Sequence, residues 1–176
     1  PDLLQEIQRW KVPPIEGFTT EIRPSAGPWI RTLGQRIPQG LILTLDYGLS
    51  APDLYHPTRS AGTLSALRAH LRSPDPLADP GHQDLTSHVN FTELTQEGEQ
   101  EEILTLGLAD FSQGLTRLAE PLLSEGKILP EKWTRNFQHL THPGFFGKSH
   151  RILVQGKKLP GSFQPTVLGS IGRRYP

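Results

Sequence analysis

The sequence predicts an α/β fold, and three observations lead to this prediction. Residues 41–45 (LILTL) form an apolar run between Gly40 and Gly48, a pattern typical of a strand buried on both faces. An amphipathic helix over residues 28–36 precedes this run, so the two make the second half of an α/β unit. Further along, two helix-like segments over residues 111–123 and 130–140 lie between strand-like segments over residues 103–108 and 151–155.

The composition restricts the class of protein. Lys plus Arg and Asp plus Glu both number 18 in 176 residues, so the formal net charge is zero and a nucleic-acid partner is not expected. No apolar run reaches the length of a transmembrane helix, so membrane insertion is not expected either. The absence of cysteine suits a reducing compartment. We therefore expect a cytoplasmic protein, or one of the mitochondrial matrix if the source is eukaryotic.

Other local patterns predict shorter elements. Residues 2–10 form a helix with Asp2 as its cap, and residues 18–22 form an edge strand. Leucines at helical spacing predict a helix within residues 62–71. Another helix starts near Asp84 or Thr86, and the acidic segment 93–102 is its solvated end. The first residue, Pro1, and the lack of any Met suggest a fragment.

Three residues at the end of the apolar strand are candidates for ligand binding. Asp46, Tyr47 and Gly48 follow the run directly, and open α/β sheets bind ligands outside the carboxyl ends of their strands. The alternative is that Asp46 caps the next turn and that Gly48 supplies a permissive backbone.

A long insertion follows this strand. Residues 49–80 carry five prolines, and segments this long are usually functional or disordered. Tyr55, Arg59 and His70 give the insertion specific polar groups, which favours an ordered structure. The alternative for His70 is a histidine at a helix end that faces water. His82 and His88 lack metal-ligand spacing, so we predict no metal site.

Several segments occur in an order that resembles one family. The segments are GLILTLDYG (40–48), YHPTR (55–59), GTLSALRAH (62–70), PGHQDLTSHVNF (80–91), FSQGL (111–115) and HPGFFG (142–147). Together they resemble the C-terminal half of the MidA family of S-adenosylmethionine-dependent methyltransferases, over residues 18–157. Two positions depart from the family pattern, since Leu67 replaces a Tyr and Phe146 replaces a Met.

The resemblance implies a fold and a division of the chain. The fold is the C-terminal part of a Rossmann-like class I methyltransferase, with a long helical or loop insertion after a central strand. Residues 1–157 belong to this domain, and residues 158–176 form an irregular tail. No GxGxxG follows a strand in this sequence, so the N-terminal half that binds S-adenosylmethionine is absent. The chain alone is therefore expected to be inactive.

The resemblance also implies roles for individual residues. Asp46, Tyr47 and Gly48 would line the cleft that holds the methyl donor. The acceptor would contact four residues, namely Tyr55, Arg59, His70 and Thr86. Asp84 would orient an acceptor guanidinium, with Asp46 as the other available carboxylate, and His88 would take up its proton. The alternative is that Asp84 caps a helix and that His88 is structural.

The function implied is methylation of an arginine on a protein, because the eukaryotic relative modifies a core subunit of respiratory complex I. The expected partner is such a protein substrate, and a homodimer is left open. The alternative is a non-catalytic assembly factor that binds a respiratory-complex subunit through the insertion. A hydrolase using Asp84 and His88 is set aside, because the sequence has no GxSxG elbow.

Overall fold

A computed structural model describes residues 2–69, 71–126, 128–161, 163 and 165–168 of the protein. The helices are α1 (Leu3–Arg9), α2 (Ala26–Arg36), α3 (Ala51–Leu54), α4 (Phe91–Glu99), α5 (Phe111–Ser124), α6 (Glu131–Thr141) and α7 (Phe146–Ser149). The strands are β1 (Gly40–Leu49), β2 (Ser65–Arg68), β3 (Leu71–Ser73), β4 (Asp84–Thr86), β5 (Val89–Asn90), β6 (Leu104–Asp110) and β7 (His150–Lys157). Short 3-10 helices cover Pro57–Arg59 and Thr166–Leu168. Helices mixed with parallel and antiparallel strands confirm the α/β class.

These elements form two units, each with its own core. Unit 1 consists of the described residues of 1–28 and 48–94, and unit 2 consists of those of 29–47 and 95–176. The predicted boundary at residue 157 stays a prediction, and most of the predicted tail lies outside the described residues. No helix within the described ranges is long and apolar enough to cross a bilayer.

Unit 1 contains two sets of strand pairs. An antiparallel sheet has the order β3-β2-β4, and the end of β1 pairs in parallel with β5 through Gly48–Val89 and Leu49–Asn90. The apolar core cluster of unit 1 holds four buried residues, namely Trp10, Ala51, Leu54 and Tyr55, and Leu49 at the end of β1 packs against it.

Unit 2 contains an antiparallel sheet of the order β1-β7-β6. Its core cluster consists of Ala109, Ile152, Val154 and Val167. Helix α5 approaches β7 closely at Gly114, because a Cβ at this position would overlap the Ile152 side chain and lie 2.9 Å from Val167. Glycine at residue 114 therefore permits the helix to pack on the sheet.

Local sequence patterns predicted several elements correctly. Asp2 accepts a hydrogen bond from the Leu4 N–H at 3.0 Å and caps α1. Helices α2, α5 and α6 and strands β6 and β7 lie where the periodicity places them.

Strand β1 forms as predicted, but it is not buried on both faces. Leu41, Leu43 and Leu45 are 46, 55 and 50% exposed, whereas Ile42 and Thr44 are half-buried. The prediction is wrong because β1 is an edge strand of the unit 2 sheet, and α5 packs on β7 instead.

The helix predicted within residues 62–71 is wrong, because this segment forms the hairpin of β2 and β3. Glu21 accepts backbone hydrogen bonds from Thr63 at 2.8 Å and Leu64 at 2.6 Å and so holds the chain extended. Strand β2 then pairs on both sides, with β3 and β4. These distant pairings outweigh the local leucine spacing.

Three further local predictions are wrong. Residues 18–22 are irregular rather than a strand. The helix expected near Asp84 and Thr86 begins instead at Phe91, and both residues lie in β4. The acidic segment is not a solvated helical end throughout, since Glu93 and Glu97 of α4 are buried.

Candidate functional site

The start of α4 joins the starts of two other helices in unit 1. Glu93 accepts a hydrogen bond from the Gly27 N–H of α2 at 3.1 Å, and Thr92 accepts one from the Ala51 N–H of α3 at 2.9 Å. Asn90 caps α4 by accepting from the Glu93 N–H at 3.3 Å. We call Tyr55, Asn90, Thr92 and Glu93 the polar cluster. It directly follows the carboxyl ends of β1 and β5, the position where α/β sheets bind ligands.

Glu93 is the unusual member of the polar cluster, because a carboxylate is seldom buried without a cation. Its side chain is 5% exposed, and burial raises its pKa above the ordinary range. The Gly27 N–H opposes this shift by stabilising the charged form. Glu93 therefore holds a proton more readily than a surface glutamate does.

Tyr55, predicted to contact the acceptor, is buried beside this glutamate. Burial raises the pKa of the Tyr55 phenol to about 12, and the charge of Glu93 adds to the increase. The hydroxyl lies 3.5 Å from the Glu21 carbonyl oxygen, and the ring packs in the unit 1 core. Tyr55 thus stays neutral and connects the core to the polar cluster.

A second set of hydrogen bonds, which we call the threonine clamp, connects Glu21, Thr63 and His88. The Thr63 hydroxyl donates to the Glu21 carboxylate at 3.0 Å and accepts from the His88 N–H at 2.9 Å. Gly62 precedes it with φ +70°, and a Cβ there would lie 2.6 Å from a Glu21 carboxylate oxygen. The clamp holds the GTL segment against the segment that carries His88.

Arg23 also holds the segment that carries His88, through the neighbouring residue Ser87. It donates to the Ser87 hydroxyl at 2.6 Å. Its positive charge lowers the pKa values of Tyr55 and Glu93, although burial outweighs this effect in both. A fixed guanidinium therefore lies near the buried carboxylate.

Four rings meet at one end of the sheet in unit 2. The His150 ring lies 5.5 Å from Tyr47, 6.2 Å from Phe111 and 4.8 Å from Phe146, measured between centroids. We call these four residues the aromatic cluster. It joins the DYG, FSQGL and HPGFFG segments at the carboxyl ends of β1 and β6.

Charged residues lie beside the aromatic cluster. Arg151 is the cross-strand partner of both Asp46 and Asp110 and forms an ion pair with Asp110. Asp46 accepts from the Tyr47 N–H at 2.8 Å. This end of the unit 2 sheet thus carries two carboxylates on either side of one guanidinium.

The remaining predicted residues lie apart from these clusters or outside the described residues. Asp84 is exposed on β4, and within the described part of the chain no side chain pairs with its carboxylate. Thr86 is half-buried opposite Ser65. Arg59 is exposed and donates to the Asp53 carbonyl at 2.9 Å. His70 lies outside the described residues.

Possible metal ligands and the residues predicted to line the donor cleft show which ligands the chain could bind by itself. Among the described residues, no three His, Asp or Glu side chains are placed to hold a metal ion. The residues predicted to bind the donor are engaged within the chain, since Tyr47 packs on His150 and Asp46 accepts from a backbone N–H. Gly48 leaves no space for a ligand beside its Cα, because a Cβ there would overlap the Val89 carbonyl oxygen. These residues alone do not fit a complete donor site.

The clusters include residues that sequence reasoning missed, namely Glu21, Arg23, Thr63, Asn90, Glu93 and His150. The signal for the Asn90–Glu93 cap was present, because Asn followed three residues later by Glu is a capping pattern. The contacts of Glu21 and His150 join segments far apart in the sequence, so local patterns did not show them.

Solved structures from Burkholderia thailandensis resemble this chain. The first is an uncharacterised protein of the COG1565 superfamily, with 24% identity, a TM-score of 0.85 and coverage of 97% of this chain and 47% of that chain. The second belongs to the same superfamily and is described as a candidate methyl transferase bound to S-adenosyl-homocysteine. It has 23% identity, a TM-score of 0.82 and coverage of 97% and 45%. The chain thus spans less than half the length of these structures, which share its fold.

The family comparison covers more than half of the sequence. A search of curated proteins found no match. Residues 1–109 match the family described as "Putative S-adenosyl-L-methionine-dependent methyltransferase". This region contains β1, the threonine clamp and the polar cluster. The chain therefore belongs to this family of S-adenosylmethionine-dependent methyltransferases.

Proposed function

We propose that this chain acts as part of an S-adenosylmethionine-dependent methyltransferase that modifies an arginine on a protein, as the MidA-type assembly enzymes of respiratory complex I do. The observation that carries this proposal is the family match over residues 1–109. The solved neighbour with bound S-adenosyl-homocysteine supports the choice of donor. When bound, S-adenosylmethionine supplies an electrophilic methyl group. The rest of its site would come from a half of the fold that this chain does not contain.

The acceptor side of the reaction needs a carboxylate that is free to bind a guanidinium. An arginine side chain stays protonated at neutral pH, and a carboxylate orients it through two parallel hydrogen bonds. Asp84 is exposed and has no pairing partner among the described residues, whereas Asp46 already accepts a hydrogen bond. Asp84 is therefore the better candidate for orienting the acceptor.

His88 is the candidate for removing the proton that the acceptor nitrogen loses. The threonine clamp fixes its backbone N–H on the Thr63 hydroxyl. Its side chain is half-buried, so the imidazole is shielded on one side. Thr86 lies two residues away on β4 and is the candidate for contacting the backbone or side chain of the acceptor protein.

The direct test uses the full-length protein with methyl-labelled S-adenosylmethionine and lysate from cells that lack it. We expect a labelled protein band with the wild type and at least about a hundredfold less label with Asp84→Asn, because the neutral amide cannot balance the guanidinium charge. Asp53→Asn is the matched control, since Asp53 is also exposed. A variant Asp84→Asn with full activity would remove Asp84 from the site.

The second candidate function is a non-catalytic assembly factor, and exposed leucines in the insertion and in β4, which follows it, favour this function. Four leucines between residues 64 and 85 are strongly exposed, namely Leu64, Leu71, Leu77 and Leu85. An exposed apolar patch formed by neighbouring side chains is typical of a protein-binding surface. Absence of donor binding by the full-length protein, together with binding of a respiratory subunit, would favour this function over methyl transfer.

A further inference from the structure

His150 lies at the edge of the unit 2 sheet that carries the residues predicted to line the donor cleft. It is the cross-strand partner of Tyr47, because β7 begins where β1 ends. Strand β6 ends at the same edge, since Asp110 pairs with Arg151. Open α/β sheets bind ligands at the carboxyl ends of their strands. A side chain that fixes Tyr47 at this edge therefore influences the predicted donor cleft.

Two hydrogen bonds fix the orientation of the His150 ring. The Ser149 hydroxyl donates to the Phe145 carbonyl oxygen at 2.8 Å. Because a hydroxyl has only one hydrogen to donate, Ser149 accepts in its 2.9 Å bond with His150 Nδ1. Nδ1 therefore carries a hydrogen, and in the neutral ring Nε2 carries the lone pair. We call the bonds from the Phe145 carbonyl through Ser149 to His150 the serine relay.

The imidazole fixed by the serine relay contacts rings from three other positions in the chain. The Tyr47 ring meets it nearly at a right angle, with 77° between the two planes. Phe146 contacts it at 61° and Phe111 at 54°. Aromatic pairs prefer defined relative orientations, so an imidazole of fixed orientation also restricts the Tyr47 ring. Phe111 and Phe146 hinder the imidazole from turning away from Tyr47.

We infer that His150 is a positioning residue for donor binding, since it holds the Tyr47 ring in the orientation that the donor needs, and that the serine relay sets the orientation of His150. The inference rests on the proposed function, in which Tyr47 lines the donor cleft. Ser149 and His150 act through Tyr47 and need no contact with the donor. The HPGFFG segment thus contributes to the donor site through the Phe145 carbonyl at the start of the relay.

The first measurement tests the serine relay without any ligand. Nitrogen-15 NMR of the histidine-labelled full-length protein should show neutral His150 protonated at Nδ1, with the signals assigned through His150→Phe. Ser149→Ala removes the acceptor of the Nδ1 hydrogen and should shift the ring toward the Nε2-protonated tautomer. Ser124→Ala is the matched control, because the Ser124 hydroxyl also donates to a nearby backbone carbonyl, that of Pro121 at 3.0 Å. A wild-type ring protonated at Nε2 would overturn the inference, as would a tautomer that Ser149→Ala leaves unchanged.

The second measurement is the affinity of the full-length protein for S-adenosyl-homocysteine by calorimetry. His150→Ala should weaken binding by about tenfold, because the Tyr47 ring would then have to be ordered on binding. Ser149→Ala should weaken it by about threefold, since the imidazole remains but is less strictly oriented. His150→Phe keeps a ring beside Tyr47 and should recover part of the loss seen with His150→Ala.

Phe137→Ala is the matched control for the affinity measurement, because Phe137 is a half-buried ring of unit 2 that stacks on Trp133. It should bind like the wild type. Ser149→Ala changes an exposed side chain, so it decides the question where His150→Ala does not fold. Wild-type affinity in both His150→Ala and Ser149→Ala would overturn this inference alone. No binding by the wild type would overturn the proposed function and this inference with it.

Discussion

Two buried glutamates one turn apart on α4 are stabilised in different ways. Glu93 in unit 1 accepts a hydrogen bond from a backbone N–H, and burial raises its pKa. Glu97 in unit 2 forms an ion pair with Arg31. The difference shows that unit 1 uses a buried carboxylate to join helix starts, whereas unit 2 neutralises its carboxylate with a cation.

The polar cluster of unit 1 and the aromatic cluster of unit 2 are also stabilised in different ways. The polar cluster and the threonine clamp fix the backbone of segments that follow strand ends in unit 1. The aromatic cluster in unit 2 holds its segments through ring contacts. Hydrogen bonds restrict the orientation of a segment more strictly than ring packing does. We therefore expect the segments held in unit 1 to tolerate substitution less than those held in unit 2.

The largest effect should come from removing the cation of the unit 2 pair. Arg31→Ala leaves Glu97 buried without its ion-pair partner, which should lower the free energy of unfolding by about 3 kcal/mol. The double variant Arg31→Ala with Glu97→Gln should recover part of this loss. Urea unfolding followed by circular dichroism measures both. Equal stability of the single and double variants would show that the pair does not govern stability.

Truncation of the unit 1 glutamate should have a smaller effect. Glu93→Ala removes the acceptor of the Gly27 N–H and leaves a cavity, so we expect a loss of about 2 kcal/mol. The cost is lower than for Arg31→Ala because no buried carboxylate is left without its cation. Glu99→Ala, at an exposed site on the same helix, should change stability by less than about 0.5 kcal/mol. A Glu93→Ala variant as stable as Glu99→Ala would contradict the assigned role.

Loss of the threonine clamp should lower the free energy of unfolding by less than Glu93→Ala does. Thr63→Val removes the hydroxyl's bond to Glu21 and its bond from the His88 N–H while keeping the volume, for an expected loss of about 1.5 kcal/mol. Thr63→Ser keeps the hydroxyl and should retain most of the stability. Hydrogen exchange of the His88 amide should accelerate in Thr63→Val and not in Thr63→Ser. Protection of this amide in both variants would show that another group holds it.

The smallest expected effect is a dependence of the free energy of unfolding on pH through Glu93. Because the pKa of Glu93 is raised on folding, the folded chain binds this proton more tightly than the unfolded chain. The resulting stabilisation is complete below the ordinary glutamate pKa and is lost as pH rises through the raised value. Relative to Glu93→Gln, the wild type should therefore be more stable at low pH than at pH 8. A stability difference that stays constant with pH would show that Glu93 titrates normally.

Local sequence patterns predicted the elements whose cause is local. Asp2 caps α1, and the periodicity of residues 111–123 matches α5. The hairpin at residues 65–73 could not be predicted, because Glu21 holds its entry from more than forty residues away. The burial of Glu93 likewise depends on Gly27, 66 residues away, while its acidic neighbours in the sequence suggested solvent.

The candidate site was also predicted only in part, because local sequence patterns do not show contacts between distant segments. The motif segments within residues 1–109 were identified correctly as belonging to a methyltransferase family, but the sequence did not show which residues of the motif segments meet. Thr63 joins two of these segments and His150 joins three others. Such contacts between distant segments are properties of the fold rather than of any local pattern. The roles predicted for Asp84, His88 and the donor-lining residues stay predictions.

The most direct test of this account compares donor affinity between the full-length protein and the 176-residue chain. Calorimetry with S-adenosyl-homocysteine should show binding to the full-length protein and none to the chain alone, because we propose that Asp46, Tyr47 and Gly48 line only part of the donor site and that the other half of the fold supplies the rest. No binding to the full-length protein would contradict a methyltransferase function. Equal affinity of the two would contradict the proposal that the donor site needs the other half of the fold.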